Sequence, residues 1–182
     1  MFEKVPANKA IAANSTIHET WMQGGYYAYE LGSDTMVLCL NGMYPFYENF
    51  EDPDMATNMI QWVSDTLEAN PDKYFLTQTH VFFGNNWYNN LEVLWNATYT
   101  DKLVTVLQKH QDRMILAVGA HIHHVQVMAP ESSAVDDLDI VQVISPAISP
   151  LYMNNPGYGQ LKFSAQNGVE NLLFRFFQLE DF

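Results

Sequence analysis

Residues 114–124 read MILAVGAHIHH: an apolar run from Met114 to Gly119 leads straight into three histidines, His121, His123 and His124, within four positions. A run of six apolar residues has the pattern of a strand buried on both faces. Two runs of the same kind precede it, Thr35 to Asn41 (TMVLCLN) and Tyr74 to His80 (YFLTQTH). From Asp54 to Ala69, Met55, Met59, Ile60, Val63 and Leu67 recur at helical spacing, and Pro71 ends that helix. A second helix, from Thr98 to His110, has Leu103, Val106 and Leu107 as its apolar stripe and Thr98-x-x-Asp101 as a capping box. Residues 42 to 53 lie between, aromatic and loop-like. After the histidines, Val125 to Met128, Ile140 to Ile144, Gly159 to Ser164 and Asn171 to Leu179 read as strands parted by Pro, Gly and Asp turns. Strands alternating with helices, then strands alone, predict one α/β layered domain.

In such sheets ligands sit beyond the carboxyl ends of the strands. Asn41, His80 and His121 all fall there. If His121-x-His123 is extended, both imidazoles point one way and His124 the other. Neutral imidazole is a good ligand for Zn, Fe or Mn, and His80 is placed to join the pair. A strand-end histidine is as readily a hydrogen-bonded structural residue, which is the reading for His18 and His110. Three neutral ligands also leave a divalent ion's charge uncompensated, and a two-metal hydrolase needs carboxylates. Spacing alone names no enzyme.

Composition narrows the classes. Of the 182 residues 48% are apolar and 16% charged, which excludes a disordered tail. Eight Lys plus Arg against 21 Asp plus Glu give a net charge of −13, a surface that repels phosphate backbones and makes nucleic acid an unexpected partner. No apolar run approaches the roughly 20 residues of a transmembrane segment. The opening MFEKVPANKAIAAN lacks the apolar centre of a signal peptide, so the chain reads as cytosolic or as lacking its true start. Cys39 is alone and reads as a buried structural thiol, with no internal disulfide to form. The sequons Asn14-Ser15-Thr16 and Asn96-Ala97-Thr98 would suit a secreted protein.

Five segments occur in order over residues 24 to 163: Gly24-Gly25-Tyr26-Tyr27 before MVLCLN; Asp54 to Leu67 with Gln61-Trp62; FLTQTHVFFG with Gly84; VGAHIHH; and SPAISPLYMNNPGYGQLKF with Asn155-Pro156-Gly157-Tyr158. In that order they resemble the acid sphingomyelinase-like phosphodiesterases, a branch of the calcineurin-like metallophosphoesterases. The resemblance implies the C-terminal half of a layered metallophosphoesterase β-sandwich flanked by helices, residues 1–182 being a single partial domain. It implies that His80 and His121 ligate one zinc ion and His123 a second. The activity implied is hydrolysis of phosphate esters by a hydroxide activated between two metals.

The sequence also departs from the pattern. The proline of His-x-Pro-x-Gly is absent, Ala120 stands where the motif has glycine, its methyl expected to crowd the turn, and Val125 stands where aspartate often follows. Asp-x-His, Gly-Asp-x-x-Asp and Gly-Asn-His-Asp/Glu occur nowhere in the 182 residues. Those motifs carry the family's bridging aspartate and acid histidine, so no catalytic residue is expected in this chain, and the chain alone is expected to be inactive. The implied compartment is secreted or lysosomal. The implied partner is an N-terminal half-domain in trans, or another subunit, covering an exposed sheet whose Val37, Leu38 and Leu40 would otherwise face solvent. The alternative is a degenerate, non-catalytic interaction subunit. A stand-alone three-histidine zinc hydrolase ranks last, for want of a general base near the site.

Overall fold

The structure, a computed structural model, describes residues 13–47, 49, 53–87, 89, 92–130, 132–134 and 138–178. The opening residues 1–12, part of the loop-like stretch 42 to 53 and the end of the last strand at Leu179 lie outside the described residues.

The three apolar runs are adjacent strands: β2 (Thr35–Leu40), β3 (Tyr74–Thr79) and β6 (Met114–Gly119). They pair in parallel, β2 to β3 and β3 to β6, because a helix returns the chain each time: α2 (Pro53–Ala69), then α3 (Ala97–Gln108). β8 (Gln142–Ile144) continues the parallel set beside β6. Antiparallel edges close the sheet, β1 (Tyr27–Glu30) beside β2 and β7 (Gln126–Met128) beside β8, in the order β1-β2-β3-β6-β8-β7. A first helix, α1 (Ser15–Gly24), leads into β1.

Strand alternation divides the core. Leu38, Leu40, Phe75 and Ala117 point to one face, against Met59, Val63 and Leu67 of α2 and Leu103, Val104 and Leu107 of α3. Val37, Leu76, Ile115 and Val143 point to the other, against Leu161, Phe163, Leu172 and Phe174. Those four belong to a hairpin of β9 (Gly157–Ser164) and β10 (Gly168–Phe176), which forms a third layer. The result is an α/β fold, a mixed sheet with helices on one face and a hairpin on the other.

Several expectations change. Val37, Leu38 and Leu40 do not face solvent: they are 4%, 0% and 7% exposed, because β1, the helices and the hairpin already cover β2. Thr98 is not the cap of α3. Asn96 is, its side chain accepting from the Thr98 amide at 3.0 Å, and Asn14 caps α1 in the same way. Both sequon asparagines are therefore helix N-caps. Asp101 instead accepts from the Ser132 and Ser133 hydroxyls at 2.6 and 2.7 Å, fixing the loop before β8. His110 is structural, as read. Its Nδ1 lies 2.9 Å from the Arg113 guanidinium, which donates to the carbonyls of Leu67, Asn70 and Lys73 and so closes the end of α2. His18 sits exposed on α1. No described helix is long and apolar enough to cross a membrane.

Two measurements check this packing. A Cβ on Gly119 would stand 2.5 Å from the Phe82 Cβ and 2.8 Å from the Ile144 Cδ1, so Gly119→Ala should cost about 1–3 kcal/mol in urea denaturation. An unchanged midpoint would contradict the tight approach of β6 to Phe82. Burial pushes the Cys39 thiol up, more than its hydrogen bond with Tyr27 lowers it. Cys39 should therefore alkylate more slowly at pH 8 than an unhindered thiol.

Candidate metal centre

The parallel pairing of β3 with β6 decides where the histidines meet. Leu76, Thr77 and Gln78 oppose Leu116, Ala117 and Val118, and the ladder extends past the strands when the Ala120 amide donates to the His80 carbonyl at 3.0 Å. Two adjacent chain ends are thereby held in register. The His80 Nε2 and His121 Nδ1 stand 3.4 Å apart, with the rings nearly perpendicular. That is long for a hydrogen bond between nitrogens. It is the separation of two nitrogens ~2.1 Å from one tetrahedral ion, about 3.4 Å. His80 is exposed, so the position is open to solvent.

Past Ala120 the chain is not extended. His121 and His123 lie at φ 81 and 62, left-handed backbone unusual for a residue with a side chain. Ile122 between them is buried, 8% exposed, and its amide donates to the Ala120 carbonyl at 3.1 Å. Anchoring Ile122 in the core turns both flanking histidines outward. Alternation therefore does not apply, and His124 is not on an opposite face. It lines the same two cavities as its neighbours, with its Nδ1 2.8 Å from the Ile122 carbonyl. The left-handed positions follow Ala120, whose own amide bonds the His80 carbonyl.

One cavity, of about 330 Å³, has His121, His124, Tyr152, Phe46 and Glu92 in its walls. A neighbouring one, of about 580 Å³, is bounded by His123, His124, Asn154, Trp87 and Phe176. Tyr152, at φ 64, is the third left-handed residue that is not glycine among those described, and its ring packs 5.3 Å from that of His123. All three such residues border these cavities, and strain of this kind gathers at functional sites. Asn154 ties the C-terminal segment to the turn, its amide donating to the His123 carbonyl at 3.2 Å.

Charge within the site is uneven. Burial holds the His121 imidazole below its usual range, His80 and His123 push the same way, and the Glu92 carboxylate opposes them. His121 is therefore neutral at physiological pH, the form that ligates. The His123 Nδ1 is buried and makes no hydrogen bond among the described residues. The three predicted ligands do not gather around one point: among the described residues no three of His, Cys, Asp or Glu are within reach of a single ion. The His80 and His121 nitrogens have the spacing of two ligands of one ion, but no third ligating side chain completes the set among the described residues. Asn41 joins neither; its amide donates to the Gly24 carbonyl at 3.1 Å.

Glu92, His124 and Tyr152 were not identifiable as site residues from spacing. Glu92 reaches the cavity because β5 (Glu92–Val93) pairs with β4 (Asn85–Asn86) and the Tyr47 amide bonds the Leu94 carbonyl at 3.0 Å.

No family model matches the chain, and no curated protein matches it. Two solved structures are similar to it at low identity. One is PhoD, at TM-score 0.48 and 8% identity, over 66% of this chain and 28% of that one. The other is a putative 5'-nucleotidase from Staphylococcus aureus in complex with alpha-ketoglutarate, at TM-score 0.46 and 13% identity, over 86% and 31%. The chain spans under a third of either, and neither likeness decides its family.

The left-handed backbone at His123 has a measurable consequence. A side chain there costs about 1–2 kcal/mol that glycine does not incur. His123→Gly should therefore be more stable than His123→Ala by about 1 kcal/mol in urea denaturation, the reverse of the usual order. Equal stabilities would show an unstrained turn.

Proposed function

We propose that this chain is part of a metal-dependent phosphodiesterase of the acid sphingomyelinase-like type and is inactive by itself. The observation that carries the reading is the His80–His121 pair, 3.4 Å apart beyond the carboxyl ends of two parallel strands, followed by a strained turn that presents His123. The five ordered segments from Gly24 to Phe163 support the same family. His80 and His121 would hold one ion, zinc being the expected metal, and His123 would serve a second. Such ions, when bound, polarise a phosphoryl oxygen and lower the pKa of water to near 7.

The chain's own residues position the rest. Burial keeps the His121 imidazole neutral, and the Ala120–His80 hydrogen bond fixes the spacing of the pair. Trp87 and Phe176 give the larger cavity an apolar border for the organic part of an ester. Missing are the bridging aspartate and the acid histidine of the family motifs. Without a general acid alone, rates fall by about 100- to 10,000-fold. A half-domain in trans carrying Asp-x-His and Gly-Asn-His-Asp/Glu would complete the site, with secretion or the lysosome as the implied compartment.

A second reading has its own observation. No three ligating side chains converge among the described residues, which suits a non-catalytic interaction subunit that keeps the fold. Hydrolysis of bis-p-nitrophenyl phosphate with added Zn or Mn should stay at background for the chain alone. Turnover abolished by His123→Ala would show an active enzyme and overturn the proposed inactivity. Recovery of turnover on adding a half-domain with the missing motifs would separate a split enzyme from an interaction subunit.

A further inference from the structure

The two sequons, Asn14-Ser15-Thr16 and Asn96-Ala97-Thr98, each open a helix, and both asparagines are exposed. That exposure is local: Trp95, beside Asn96, is 0% exposed, and Ile17, three residues past Asn14, is 7% exposed. Only the side-chain oxygens are engaged. The Asn14 Oδ1 accepts from the amides of Thr16 and Ile17 at 3.1 and 3.2 Å, and the Asn96 Oδ1 from the amide of Thr98 at 3.0 Å. Neither Nδ2 makes a hydrogen bond among the described residues, and neither do the Thr16 and Thr98 hydroxyls. Neither asparagine is among the residues that wall the two histidine cavities.

An N-linked glycan replaces one hydrogen of Nδ2 and leaves Oδ1 a carbonyl acceptor. Helix cap and modification therefore use opposite ends of one amide, and the folded chain tolerates both together. An exposed asparagine in Asn-x-Thr is the acceptor that N-glycosylation requires. We propose that Asn14 and Asn96 carry N-linked oligosaccharides, donated by a lipid-diphosphate-linked oligosaccharide. Nδ2 bonds to the anomeric carbon of the first sugar as the bond from that carbon to the diphosphate oxygen breaks. The diphosphate leaves with the electron pair, and one Nδ2 proton passes to a base of the transferase. The inference rests on the proposed secreted or lysosomal compartment.

The experiment treats the protein, isolated from its source cells, with peptide-N-glycosidase in heavy-oxygen water and maps the peptides by mass spectrometry. A parallel sample is the full chain directed into the secretory pathway of a eukaryotic host by an added signal peptide. There wild type is compared with Asn96→Asp, Thr98→Ala, Thr98→Ser, Asn14→Asp and Thr16→Ala. Asp also caps a helix, and Thr98→Ala leaves the capping asparagine in place, so loss of the glycan is separated from loss of the cap. Both asparagines should convert to labelled aspartate in both samples. Thr98→Ala should abolish the label at residue 96 alone, Thr16→Ala at residue 14 alone, and Thr98→Ser should keep it. Absence of label in both samples would overturn the two sites and leave the compartment standing. Label in the directed chain with none in the source protein would overturn the compartment, and the modification with it. Label at residue 96 that survives Thr98→Ala would overturn the assignment of that sequon.

Discussion

One backbone hydrogen bond sets the geometry on which the site depends: the Ala120 amide donating to the His80 carbonyl. It is the last rung of a parallel ladder whose register is already fixed, because β3 and β6 are buried on both faces and a one-residue slip would turn apolar side chains the wrong way. Register thus passes from core packing to chemistry. Phe75 and Ala117 facing the helices, and Leu76 and Ile115 facing the hairpin, determine that residues 80 and 121 end side by side. A site assembled at the ends of packed strands inherits their precision.

The turn after this rung works against local preference. Three residues with side chains adopt left-handed backbone, at His121, His123 and Tyr152, and a turn built only for stability would place glycine there. Ile122 buried below and Asn154 bonded to the His123 carbonyl hold the turn from two sides. Gly157 allows the second of these. A Cβ there would meet the Arg175 carbonyl at 2.9 Å and the Phe176 ring at 2.6 Å, so the Asn-Pro-Gly-Tyr segment needs glycine to let β9 and β10 close beneath the site. The glycine of that segment is a packing requirement, and the segment reaches the histidines through Asn154.

Elements buried on both faces were legible in the sequence, since burial writes contiguous apolar runs: β2, β3 and β6 fall within a residue of where TMVLCLN, YFLTQTH and MILAVG place them. Elements at the rim were not. In α1, Trp21 and Met22 are exposed, so its apolar residues do not make one clean stripe, and β1 is a half-buried edge strand of four residues. Thr98 has the capping-box spacing to Asp101, but the cap is Asn96, two positions earlier. The condition that the histidine segment be extended is not met, and left-handed backbone at residues other than glycine leaves no compositional mark. Glu92 was invisible for a different reason: its partner His121 is far along the chain, and only the β4–β5 pair and the Tyr47–Leu94 hydrogen bond bring its loop across.

Charge and geometry constrain each other in what this surface can bind. The chain carries a net charge of −13, and burial holds the His121 imidazole below its usual range. A phosphate ester approaching such a surface meets repulsion at long range and another fixed negative charge, Glu92, at short range. A cation meets attraction at both distances. An ion on the pair would offset the local carboxylate and supply positive charge there.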